Sequence, residues 1–232
     1  KDGTVKIELT EKTAWEGAED LSEPEQIGEV YQISTGGELA WFAGLINGTL
    51  DDVSKNTEAS AILVKDIDMG SEEWTPIGRN SFFMGTFDGN GHTITNLYVA
   101  SGSYSGLFGT VGANGSVLDL TVTGEFNGTS NVGGIAGQNQ GTISNVVNRA
   151  EIHATSSPAG GIIGDNSGTV TNVVNEGIIS STSYNLGGIA GKNTGQIVRA
   201  VNHGAVATSY SSYSSSSGGI GGIVGYDSNT RA

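Results

Sequence analysis

The sequence predicts an all-β fold: a right-handed, single-stranded parallel β-helix of about seven coils with a short N-terminal capping helix. Three observations carry this expectation. The phrase "GGIAGQNQGTISNVVNRAEI" at Gly133 returns as close variants at Gly160 and Gly187, at equal intervals and aligned without a gap. Glycine and β-branched residues dominate the repeats, and no apolar pattern there runs at helical spacing. Each repeat is also short: coils stacked about 4.8 Å apart make a rod roughly 35 Å long.

Weaker copies flank the three clear ones, at Ser105, Met84 and Gly221. In alignment, Ile94, Val117, Ile143, Val170 and Ile197 form one apolar column, and Leu97, Leu120, Val146, Val173 and Ala200 form another. Asn96, Asp119, Asn145, Asn172 and Arg199 stand one residue before the second column. Asn90, Asn114, Asn139, Asn166 and Asn193 come earlier in each copy, each followed within two residues by glycine. Asparagine tolerates left-handed backbone and glycine accepts it without a Cβ penalty, so these positions predict turns. Every repeat then reads as three β segments, with like residues stacked on like and asparagines able to pass hydrogen bonds from coil to coil.

Residues 1–30 read as an extended arm able to add an edge strand, 31–58 as capping helix and connector, and 59–232 as the β-helix. In "STGGELAWFAGLING", Thr35 is a helix N-cap with Glu38 three residues on. Leu39, Trp41, Phe42, Leu45 and Ile46 follow at helical spacing, and the helix stops at Asn47-Gly48. Such a helix can cover the open end of a solenoid core. "SAILVKDIDM" predicts a strand and "EEWTPIG" a turn. The serine-rich stretch 209–217 should bulge from one face, and the ending "GGIVGYDSNTRA" reads as a piece cut from a longer protein.

Charge and composition exclude several function classes. Of the net −14, residues 1–99 contribute −12 (18 acids, 6 bases) and residues 100–232 contribute −2 (6 acids, 4 bases). An acidic surface repels nucleic acid and anionic membranes. With no cysteine there is no disulfide, thiolate ligand or thiol nucleophile. Neither a cofactor nor a metal is expected: the oxygen clusters at 51–58 and 66–73 lack the spacing of a calcium loop, and His92, His153 and His203 fall in different columns.

The string "YQISTGGELAWFAGLING", "DIDM", "WTPIG", "GTFDGNGHTITNLYV", "SGLFG" and repeated "GGIAG" resembles bacterial surface proteins with GLUG-motif repeats, found also in non-catalytic parts of immunoglobulin A peptidases and related adhesins. The resemblance spans roughly residues 28–232. It implies a secreted or surface-anchored bacterial protein with an adhesive or spacer role, and it transfers no catalytic residue.

The expected function is adhesion by an extracellular repeat module, not an enzyme, to a host or microbial surface glycan or protein. Monomeric state and no membrane insertion within this segment are expected with it. Tyr184, Tyr210 and Tyr213, in the bends after the third segment, are the candidate ligand-binding residues, because tyrosine stacks on sugars and partners alike. A passive stalk is the first alternative. A polysaccharide-degrading enzyme is the second, resting on Asp66 and Asp68, which face one side, and on Asp88 with His92 nearby. Glu151, Asp165 and Glu176 share no column; Asp165 aligns with Asn139 and Asn193 in the neighbouring copies.

Overall fold

The computed structural model describes residues 14–17, 20–209 and 219–228. Within them the chain winds into a parallel β-solenoid of about seven turns. The expected solenoid and its helix are both present. The stretches "TVKIEL" near the start and 210–217 lie outside the described residues.

Each regular coil has four strands rather than three. One coil runs Val132–Gly133, Ala136–Asn139, Thr142–Asn148 and Glu151–Ala154. The next runs Ala159–Gly160, Ile163–Asn166, Thr169–Asn175 and Ile179–Ser181, and each of its strands pairs in parallel with the equivalent strand one repeat earlier. The extra corner lies inside the "GGIAG" phrase. A Cβ on Gly134 would stand 2.1 Å from Asn148 Oδ1, and on Gly161 or Gly188 2.4 Å from the equivalent Asn175 or Asn202 side chain. Only glycine lets the chain turn that close to the asparagines.

The core is a set of stacked columns. Val117, Ile143, Val170 and Ile197 pair in register, as do Leu120, Val146, Val173 and Ala200, and Phe126, Ile152, Ile179 and Val206. The structure moves the first copy out of these columns: Phe87, not Ile94, precedes Val117, while Ile94 pairs with Val122 and Leu97 with Gly124. The rungs there, from Val30 to Ser60, Ala61 to Phe87 and Phe87 to Val117, consume unequal lengths of chain, so a fixed period misplaces them.

Two files of buried asparagine run through the regular coils. Asn139 Nδ2 donates to Asn166 Oδ1 (2.9 Å) and Asn166 Nδ2 to Asn193 Oδ1 (2.8 Å). Asn148, Asn175 and Asn202 repeat the arrangement at 2.8 Å for each step. Each file also satisfies its own bends: Gly141 N–H donates to Asn139 Oδ1, and Asn175 Nδ2 to the Gly177 carbonyl. A buried amide is tolerable only when both ends are bonded, and here they are. The turn signals in the sequence mark the first file and leave the second unmarked. Asn114 is not part of the first file, because Val111 occupies that rung.

A third file, on the outer surface, is conformational. Asp119, Asn145, Asn172 and Arg199 have φ between 53° and 55°, the left-handed bend expected of them; Asn96 makes the same bend at 55° but, displaced with Ile94 and Leu97, lies outside this file and bonds Asp68 instead. Asn145 Nδ2 reaches Asp119 Oδ1 and Asn172 Nδ2 reaches Asn145 Oδ1, both at 2.9 Å, and Arg199 Nε donates to Asn172 Oδ1.

The helix spans Gly36–Asn47. Thr35 Oγ1 accepts from the Glu38 N–H, Glu38 accepts in return from the Thr35 N–H, and Gly48 ends the helix at φ 72°. Leu39, Phe42, Leu45 and Ile46 are buried in the solenoid core, with the Phe42 ring 6.3 Å from Phe83 and 6.2 Å from Phe87. The strand Val30–Ile33 already pairs with Ser60–Leu63, so the helix sits within the first turn; the antiparallel strand Glu25–Ile27 edges that sheet.

Candidate functional site

A long concave surface follows the strands that close each coil. Outward side chains at Asn127, His153, Ser180 and Ala207 stand in register on successive coils. Two residues later, past the small residues Gly128, Ala154, Ser181 and Thr208, come Thr129, Thr155, Thr182 and Ser209. The two files flank a trough of about 690 Å³ that starts at Ala100 and Ser101 and so crosses five coils.

Alternation along the strand explains the trough. Residues i and i+2 face outward while the corner residue between them is small, so a furrow opens and repeats at each rung. Its hydroxyls are fixed: Thr182 Oγ1 donates to the Thr155 carbonyl at 3.0 Å, and Ser103 and Thr129 hydroxyls lie 2.7 Å apart. His153 is central, with Nδ1 2.7 Å from Ser180 Oγ and Nε2 3.5 Å from Glu151 Oε2. Its signal was the alternation in "EIHA".

Tyr184 is half-buried in the bend after Ile179–Ser181, two residues beyond Thr182, and does not line the trough. Tyr210 and Tyr213 lie outside the described residues.

The acids of the alternative enzyme reading are engaged locally. Asp66 Oδ1 accepts from the Thr93 N–H (2.9 Å) and lies 3.1 Å from His92 Nδ1; these bonds, the backbone one foremost, hold its carboxyl below the usual range. Asp68 Oδ1 accepts from the Gly70 N–H and Asn96 Nδ2, and Asp88 Oδ1 from the Asn90 N–H at 2.7 Å. Asp66 and Asp68 do line one cleft of about 530 Å³ with Trp15 and Lys65, while Asp88 faces a separate one with Asp119.

Three other acids meet neighbours across coils: Glu176 Oε2 with Arg149 Nε (2.6 Å), Asp165 Oδ2 with Lys192 Nζ (3.1 Å), and Glu151 beside Glu125. The register puts Asp165 opposite Gln138 and Lys192, one place from the Asn139 and Asn193 slots that the alignment gave it. Among the described residues no group of three or more His, Asp or Glu could hold a metal ion, and no helix is long and apolar enough to cross a membrane.

Fold and repeats together define a parallel β-solenoid repeat protein. No family model matches the chain. It is 40% identical over 97 residues to the "Putative Gly-rich membrane protein" of Evansella cellulosilytica, covering 36% of this chain and 11% of that one. It is 45% identical over 67 residues to halomucin of Haloquadratum walsbyi, covering 28% of this chain and 1% of halomucin. The chain thus spans a small part of the curated relatives it matches. Among solved structures, a "putative immunoglobulin A1 protease" from Bacteroides ovatus aligns at TM-score 0.47 and 16% identity over 90% of this chain and 87% of that chain.

Proposed function

We propose that this chain is an extracellular, cell-surface repeat module that binds a glycan or protein on another surface without catalysing a reaction, and that the trough is its contact face. The observation that carries the reading is the trough's continuity: the same two outward files recur over four coils and the trough runs on to Ala100 and Ser101 of a fifth, giving one extended face rather than an isolated pocket. Relatives named as a membrane protein and a mucin support the extracellular setting, as does the GLUG-type reading of the repeats. The local bonds of Asp66, Asp68 and Asp88 to backbone N–H groups support a non-catalytic role.

The test is binding of the purified chain to immobilised glycans, mucins and matrix proteins at physiological salt, beside a Thr155→Trp variant that fills the trough. Saturable binding lost in the variant is the expected result. A blank from folded protein overturns it and favours a passive stalk, a second reading supported by the long relatives of which this chain matches only 11% and 1%.

A further inference from the structure

We infer that the ligand of the trough is an uncharged, linear polysaccharide lying along the rod axis across the rungs; this rests on the trough being the contact face. Among the described residues the lining contains no Lys, Arg, Asp or Glu, and its titratable side chain is His153. An anionic sugar chain would find no cation there to pair with its carboxylates or sulfates. It would also meet Glu125 and Glu151, which stand in register on two coils beside the trough.

The lining instead offers what a neutral sugar uses. Serine and threonine hydroxyls both donate and accept, as sugar hydroxyls do, and Asn127 adds a side-chain amide of the same dual character. The lining also carries exposed apolar surface, at Ala100 and Ala207 and on the threonine methyl groups, where the C–H face of a ring can rest.

Shape sets the direction. Four rung steps of about 4.8 Å give a furrow of roughly 19 Å, long enough for several sugar rings in a row and narrow across the strands. Because the second file is Thr129, Thr155, Thr182 and Ser209, each ring meets a hydroxyl at the same place on its rung. His153, held by Ser180, is the one rung with a larger donor or acceptor, so it should fix the chain's position along the furrow.

The experiment is calorimetry with linear gluco- and manno-hexasaccharides, with hexagalacturonate and heparin as the charged counterparts, on the whole chain and on Thr155→Trp, Ala207→Trp and His153→Ala. Circular dichroism confirms that each variant is folded. The expected result is binding of a neutral hexasaccharide that is insensitive to salt, weakened about tenfold or more by either tryptophan and severalfold by His153→Ala. Trough-dependent binding of a charged chain only, lost with the tryptophans, overturns the neutral-sugar inference and leaves the contact face standing, as does no binding of any sugar beside tryptophan-sensitive binding of a mucin or matrix protein in the immobilised panel. Binding untouched by either tryptophan, or no binding of any sugar or of any protein in that panel, overturns both.

Discussion

Between Tyr31 and Phe108 the interior of the solenoid is aromatic, with Phe42, Phe83, Phe87 and Phe108 in edge-on or tilted contact at 5.1–6.3 Å. From Gly133 to Asn202 the buried residues are aliphatic, and two files of asparagine run beside them. The difference follows coil regularity. Rungs that consume unequal lengths of chain leave spaces of unequal shape, which large rings fill. Coils of constant length bring each residue over its own equivalent, and only then can one amide bond the next at the same distance every time. Irregular coils are held by ring packing and regular ones by a repeated bond.

That contrast can be broken from either side. Phe42→Ala should cost most, about 3–5 kcal/mol, because it empties the contact between helix and rod; thermal unfolding measures it. Asn175→Ala should cost about 1–3 kcal/mol by leaving Asn148 Nδ2 and the Gly177 carbonyl short of a partner. An equal loss from Asn145→Ala, in the exposed file, would show that burial is not what gives the inner file its weight.

Gly161→Ala presses a methyl group toward Asn175 and should cost about 1–3 kcal/mol, read by urea unfolding. The exposed file offers a gain instead. Arg199 holds a left-handed φ of 53° that asparagine adopts more readily, so Arg199→Asn should stabilise by up to about 1 kcal/mol. No change in unfolding midpoint would count against a strained Arg199.

The smallest effect is acid sensitivity in the irregular region. Asp66, 73% exposed at its side chain, has a folded pKa lowered by the Thr93 N–H and His92. Its stabilisation is therefore full above the unfolded carboxylate pKa of about 3.9 and is lost as pH falls through the lowered folded value. Asp66→Asn should flatten that part of the stability profile, and an unchanged acid limb would show that the bond contributes nothing.

Much of the fold was legible in the sequence, because the signals were local or strictly periodic. Thr35 and Glu38 cap the helix through bonds made within one turn, and Gly48 ends it by backbone geometry. The left-handed file at Asn145, Asn172 and Arg199 followed from the constant period of the repeats. The place of Phe87 was not legible, since its partner Val117 depends on how much chain the preceding turns consume. The pairing of Asp165 with Lys192 was legible, since the gapless repeat sets one over the other, but reading the column one place off hid it. The trough was missed for a related reason: Asn127, His153, Ser180 and Ala207 share no chemical type, and only their common outward direction makes them one surface.

The sequence by itself determined the solenoid, the capped helix and the turn positions, because period, capping and backbone preference act over a few residues or repeat without change. The tertiary structure decided the four-sided coil, the satisfied inner asparagine files and the furrow beside His153. Each arises where side chains from different coils meet, and register and corner geometry set those meetings rather than residue type.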